Sequence, residues 1–292
     1  MQSASLSALF VLLLLCPAAA PLFPLPAGPG EPPAPQTLGG GNGEVAPFLP
    51  AFPPGPHEEW LDGRRFLWQI PTTPPPPEGY PLLFVLHGAA QPAEAWFGRG
   101  LVWGWRQTAF AAHALQVGYA LVAPDSLRPV AWGPKAWDVF SADVNSSLDL
   151  PFFAALLAWL DDAPFPVNQR ALYCAGFSSG AFMTSRLART FPRQFAAVAV
   201  HSGTDADAIT LTWRGPEFDC TSPQNFSPHH PPTLVVHGGK DRFVPAACGL
   251  HYYHQLQRNN ISSDLLYNPE GGHIWQEQFN QDILAWFAAR GV

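Results

Sequence analysis

From Pro81 onward the chain alternates short apolar runs with stretches of helical spacing. Pro81-Leu-Leu-Phe-Val-Leu-His87 is almost continuously apolar, the pattern of a strand covered on both faces. Tyr119–Pro124, Ala171–Gly176, Phe195–His201, Thr233–His237 and Asp264–Tyr267 read as strands too. Between them, Phe152, Phe153, Leu156, Leu157 and Leu160 recur at helical intervals within Leu148–Leu160. Arg106–Gln116, Ser179–Thr190, Ala246–Arg258 and Trp275–Arg290 complete the set of expected helices. Upstream, Glu58–Ile70 divides into two strands around an Asp62-Gly63 turn. Strands alternating with helices require crossover connections. The fold class is therefore α/β, a mostly parallel central sheet with helices on both faces. In such sheets reactive groups collect in the loops that leave the carboxyl ends of the strands.

The pattern fails at the N-terminus. Leu6 to Cys16 is apolar apart from Ser7 and is followed by Pro17-Ala-Ala-Ala20, so residues 1–20 read as a secretory signal peptide, although no basic residue precedes the apolar run. A lipid anchor on Cys16 fits less well, because Leu15 stands where a small residue normally precedes the modified cysteine. Residues 21–57 are rich in Pro, Gly and Ala, too poor in apolar surface to offset their ordering entropy, and read as an extension. Residues 58–292 remain as one domain. Of the other cysteines, Cys174 sits inside a strand pattern, whereas Cys220 and Cys248 lie in loop-like sequence and can pair in an oxidising compartment. Asn145-Ser-Ser, Asn225-Phe-Ser and Asn260-Ile-Ser are acceptor sequons for glycosylation.

Charge narrows the function. Fifteen Lys and Arg against 22 Asp and Glu give a net charge of −7, and no basic run occurs, which argues against binding a nucleic-acid backbone. No internal stretch reaches the roughly 18 apolar residues of a membrane span, so no stable membrane insertion is expected.

Three of the predicted strand ends carry chemistry. Gly176-Phe-Ser-Ser-Gly180 follows a strand and opens a helix, where flanking glycines relieve a sharp turn that exposes the Ser178 hydroxyl. A serine hydroxyl is a weak nucleophile and needs a base, which in turn needs an orienting acid. Downstream, His237-Gly-Gly-Lys-Asp241 presents Asp241, and Glu270-Gly-Gly-His273 presents His273, in the chain order expected for this geometry. Asp205 and Asp207 are alternative acids. His87 and His237, each followed by glycine, read as hydrogen-bonded structural histidines. His229, His230, His251 and His254 lack a third ligand nearby, so no metal is expected, and the chemistry calls for no cofactor. An oxyanion would be met by the backbone N–H groups of Ser179 and Ala89.

Leu86-His-Gly-Ala-Ala90, Gly176–Met183, Phe195-Ala-Ala-Val-Ala199, His237–Asp241 and Gly271-Gly-His-Ile-Trp275 together resemble the polyhydroxybutyrate-depolymerase and feruloyl-esterase family of α/β-hydrolases. The likeness covers about residues 58–292. It implies a secreted serine esterase with Ser178, Asp241 and His273 as triad, acting on small-molecule or polymeric esters. Two departures, Ala89-Ala90 after the His-Gly turn and Gln276 where the family carries proline, fall near the expected mouth of the site. Of the 11 tryptophans, Trp96, Trp103, Trp105, Trp132 and Trp137 fall in segments near the oxyanion side. Trp275, two residues from His273, is the candidate for substrate contact. Two rivals are a non-catalytic binding module, from another class, and a serine peptidase of the same fold.

Overall fold

The computed structural model describes residues 52–98, 105–128, 134–212, 215–221 and 223–291. Residues 1–20, and 21–51 of the extension, lie outside them.

Strands β1 (His57–Leu61) and β2 (Arg64–Gln69) form the expected hairpin, with Asp62 and Gly63 both at positive φ as a tight two-residue turn requires. β3 (Tyr80–Leu86) and β4 (Ala120–Pro124) flank helix α1 (Trp105–Gln116) in sequence. Helix α2 (Leu150–Trp159) precedes β5 (Val167–Phe177), α3 (Ser179–Thr190) and β6 (Ala197–His201). A small hairpin, β7 (Ile209–Thr212) and β8 (Gly215–Phe218), interrupts the alternation. Then follow β9 (Thr233–Gly238), α4 (Ala246–Arg258), β10 (Ser263–Asn268) and α5 (Asn280–Ala288). The main sheet has eight strands in the order β1-β2-β4-β3-β5-β6-β9-β10, antiparallel only where β2 meets β1 and β4.

Alternate residues of the central strands face two separate cores. Leu82, Phe84, Leu86, Leu172, Cys174 and Val198 pack with α2 and α3, whereas Leu83, Val85, Tyr173, Ala175, Ala199 and Val236 pack with α1 and α5. Burial on both faces explains why these strands read as unbroken apolar runs. No helix among the described residues is long and apolar enough to cross a membrane.

Three expectations need adjustment. The expected extension ends at residue 57, whereas His57 belongs to β1 and stacks on Trp68, and Phe52 packs edge-on against the same indole. The helix expected over Trp275–Arg290 starts only at Asn280, because Trp275 and Gln276 turn inward to bond their neighbours. The sequence does not mark the β7–β8 hairpin, since Ile209-Thr-Leu-Thr212 is only four residues long and the second strand opens on Gly215-Pro216.

Candidate active site

The carboxyl ends of β3, β5, β6, β9 and β10 converge at one edge of the sheet. At the end of β5 the backbone turns sharply into α3, and Ser178 takes φ 54° and ψ −117°, a conformation costing about 1–3 kcal/mol in a non-glycine residue. The flanking residues show why they lack side chains. A Cβ on Gly176 would stand 2.0 Å from the Gly180 carbonyl oxygen, and one on Gly180 would stand 2.2 Å from that of Leu86. The Ser178 N–H donates to the His201 carbonyl at 3.0 Å, tying the turn to β6.

His273, in the loop after β10, joins the other two residues of interest. Its Nδ1–H donates to Asp241 Oδ2 at 2.7 Å, which leaves Nε2 as the acceptor for the Ser178 hydroxyl at 2.9 Å. The Asp241 side chain is wholly buried, and its other oxygen accepts the N–H groups of Phe243 and Val244, each at 2.9 Å. Burial works against the charge of Asp241. Contacts with His237 and His273 and the Val244 N–H outweigh that cost and hold the carboxyl well below its ordinary range. The loop bearing His273 is fastened to the Asp241 turn, since Lys240 N–H donates to Gly271 O at 2.8 Å and Gly239 N–H to Asn268 O at 2.7 Å.

The N–H groups of Ser179 and Ala89 meet no protein acceptor among the described residues, Ser179 being the first residue of α3 and Ala89 lying in the half-buried turn after β3. Trp137 links the two segments. Its indole N–H donates to His87 O at 2.8 Å, and its backbone N–H donates to Ser179 Oγ at 3.1 Å. The turn is braced further by Gln91 Oε1, which accepts the Gly88 N–H, and by Lys135 O, which accepts that of Ala90. Beneath it, His87 is fully buried, its pKa pushed down to about 4 chiefly by burial, and Nε2 accepts the Ser126 N–H. His87 is a structural histidine, as expected from the glycine that follows it.

Trp275 does not face the cleft. It is 2% exposed, stacks on His201 with ring centres 4.2 Å apart, meets Trp96 edge-on, and donates its indole N–H to Asn280 Oδ1. Its role is to support the His273 loop from below. Trp96 and Trp137 are equally buried, while Trp103, Trp132 and the side chain of Trp105 lie outside the described residues. Gln276 is also inside and not at the mouth, with its backbone N–H on His201 Nε2 and its side chain bonded to Gly272 O and Asn268 Nδ2. The exposed groups beside His273 are Phe243, whose ring lies 5.1 Å from the imidazole, and Ile274. Neither was singled out in the sequence, although Phe243 follows Asp241 by two residues and Ile274 adjoins His273.

The other candidates fall elsewhere. Asp205 and Asp207 pair with Arg189 and Arg186 rather than with an imidazole. His229 contacts Arg193, His230 lies against Pro231 O, and His251 contacts Thr221 O and Gln255. No metal-binding group of three occurs among the described residues.

The chain has relatives among known hydrolases. The chain is 32% identical over 238 residues to the poly(3-hydroxyoctanoate) depolymerase of Pseudomonas fluorescens, an alignment spanning 79% of this chain and 83% of that one. Residues 151–290 match the prolyl oligopeptidase family. A probable dipeptidyl-peptidase 5 of Aspergillus clavatus is 27% identical over 241 residues, but the alignment covers only 31% of that longer protein. Among solved structures, the acetyl xylan esterase of Aspergillus awamori superposes with a TM-score of 0.59 at 16% identity, over 77% of this chain and 94% of that one. Acyl-protein thioesterase 2 of Zea mays superposes at 0.54 and 17% identity, over 78% of this chain and 99% of that one. The chain belongs to the polyhydroxyalkanoate-depolymerase family of α/β-hydrolases and is a carboxylic ester hydrolase.

Proposed function

We propose that the protein is a secreted serine esterase in which Ser178, His273 and Asp241 form the catalytic triad. The observation that carries the reading is the continuous row from the Ser178 hydroxyl through the His273 imidazole to the Asp241 carboxylate, at 2.9 and 2.7 Å. His273 Nε2 takes the serine proton as Oγ attacks the ester carbonyl, and Asp241 holds the imidazole in the required tautomer. The N–H groups of Ala89 and Ser179 receive the oxyanion. His273 then protonates the departing alcohol, and water, activated by the same imidazole, releases the acid from Ser178. No step needs a cofactor.

Phe243 and Ile274 offer apolar surface beside His273 and favour substrates with apolar substituents. Aliphatic hydroxyalkanoate esters fit this surface, in keeping with the named substrate of the Pseudomonas relative, and phenolic and acetyl esters are the other members of the class. Secretion is supported by the Cys220–Cys248 disulfide, with Cα atoms 4.4 Å apart, and by the exposure of Asn145, Asn225 and Asn260 in their sequons. The prolyl oligopeptidase match favours peptide cleavage as the second reading.

The test is a panel of p-nitrophenyl acetate, butyrate and laurate, methyl ferulate, hydroxyalkanoate oligomers and a dipeptidyl p-nitroanilide, run on the wild type and Ser178→Ala. Ester turnover in the wild type, lowered by several orders of magnitude in the variant, is expected. Undiminished turnover in the variant refutes the mechanism. Cleavage of the anilide alone transfers the site to the peptidase reading.

A further inference from the structure

His237 is the penultimate residue of β9, just before Gly238, and is completely buried, so its imidazole cannot meet substrate. Its position is nevertheless specific. Nε2 lies 3.1 Å from the Val244 carbonyl oxygen and 3.4 Å from Asp241 Oδ2. Both neighbours are acceptors. Nδ1 has no hydrogen-bond partner among the described residues and faces Gly249, where a Cβ would stand only 2.5 Å away. A proton on Nδ1 would leave a buried donor unmet and two acceptors facing a lone pair, each an uncompensated cost. The proton therefore resides on Nε2, and its N–H is directed at the Val244 carbonyl, with Asp241 Oδ2 beside it at 3.4 Å.

Val244 is held from both sides by this arrangement. Its carbonyl accepts from His237, and its N–H donates to Asp241 Oδ1 at 2.9 Å. The turn from Asp241 to Val244 is thus anchored to the end of β9 by a side chain that also approaches the carboxylate directly. Asp241 Oδ2 stands 2.7 Å from one imidazole and 3.4 Å from the other.

From this geometry we infer that His237 is a positioning residue for the hydrolytic reaction, setting the orientation of Asp241 through its Nε2–H and thereby the alignment of His273 with Ser178. The inference rests on the triad assignment above. Its chemical requirement is a neutral donor at the Nε2 position. An imidazole filling space alone would have no such requirement.

Glutamine and asparagine separate the two roles, since the glutamine amide can place an N–H near Nε2, whereas that of asparagine falls near Nδ1, against Gly249. His237→Gln, His237→Asn and His237→Leu are assayed for kcat and KM on p-nitrophenyl butyrate, alone and combined with Asp241→Asn, with thermal melts to identify the folded variants. The expected result is that Gln retains kcat within about threefold, while Asn and Leu lose about 10- to 100-fold in kcat with KM little changed, the range of a displaced catalytic group. In the Asp241→Asn background the Leu substitution should cost almost nothing more. Equal losses in Gln and Asn, an unaltered kcat in Leu, or losses that multiply with Asp241→Asn overturn the positioning role. An active Ser178→Ala enzyme run beside them overturns the triad and this role together, whereas Ser178-dependent turnover indifferent to His237 overturns only the latter.

Discussion

Asp241 and Asp205 both follow the end of a parallel strand, both bury their carboxylates, and both read in the sequence as candidates for the acid behind the catalytic base. Their surroundings differ in kind. Asp241 has two backbone N–H groups on one oxygen and two imidazoles near the other, and its ionised form is favoured despite burial. Among the described residues Asp205 has a single backbone donor, the Asp207 N–H at 2.8 Å, and Arg189 at 3.6 Å, and burial pushes its pKa up to about 6. A turn that aims several donors at a carboxylate supplies a fixed negative charge, whereas a buried carboxylate with one donor and a distant cation is poorly compensated. The first kind can orient a base. The second caps the short helical turn at Ala206–Ala208 and joins a cluster with Arg186, Arg189 and Asp207.

The sharpest way to break this comparison is to neutralise each acid in turn. Asp241→Asn preserves the shape but offers an amide where His273 Nδ1–H needs an acceptor, so the wrong tautomer is favoured. A loss of about 10⁴ in kcat, roughly 5 kcal/mol of barrier, is expected. Asp205→Asn keeps the oxygen that accepts the Asp207 N–H and should leave kcat on p-nitrophenyl butyrate within about twofold. Equal losses in the two variants would erase the distinction.

Asp241 could be proposed as the acid because the chain order serine, acid, histidine and the placement past strand ends are written in the residues themselves. The strand pattern, the hairpin turn at Asp62-Gly63 and helices such as Ser179–Thr190 and Ala246–Arg258 were legible for a related reason: their signals are local. What stayed hidden depends on long-range packing. Nothing in the sequence near Trp275 says that His201, 74 positions earlier, lies flat against its ring, and proximity to His273 suggested a cleft position instead. Gln276 reads as a solvent-facing polar residue until its bonds to Gly272 and His201 are seen. His237 was legible as structural from its following glycine, but not the carboxylate it faces.

A smaller effect sharpens the structural half of the comparison. Cys248, bonded to Cys220 across 28 positions, accepts the Thr204 hydroxyl on its carbonyl, so the disulfide anchors the chain immediately before Asp205. Loop-closure entropy for a ring of that length is worth about 3–4 kcal/mol. Reduction, or Cys220→Ser, should lower the melting temperature by several degrees, measured by scanning calorimetry with and without dithiothreitol, while ester turnover at 25 °C persists. A melting temperature indifferent to reduction would mean that this region gains no stability from the bridge.

The finest distinction between the two acids lies in how stability responds to pH. Asp205 has a folded pKa of about 6 against an ordinary value of 3.8, so between those values the folded chain holds a proton that the unfolded chain has released. Stability contributed by this group is present below about pH 4 and is lost as pH rises through 6, by about 2–3 kcal/mol for a shift of this size. His87 and His230 act in the opposite direction, because burial pushes each down to about 4 and the unfolded chain takes up their protons first as pH falls below about 6.5. Asp241, held below its ordinary range, also favours the folded state at higher pH and loses that contribution on acidification. The wild-type profile therefore mixes opposing slopes, but the difference between Asp205→Asn and wild type isolates one of them. Urea denaturation at half-unit steps from pH 4 to 7 should show the variant gaining on the wild type steadily up to about pH 6.5 and then holding a constant margin. A difference that stays flat across that range would show that Asp205 is already ionised at no cost, and the contrast with Asp241 would then rest on orientation alone.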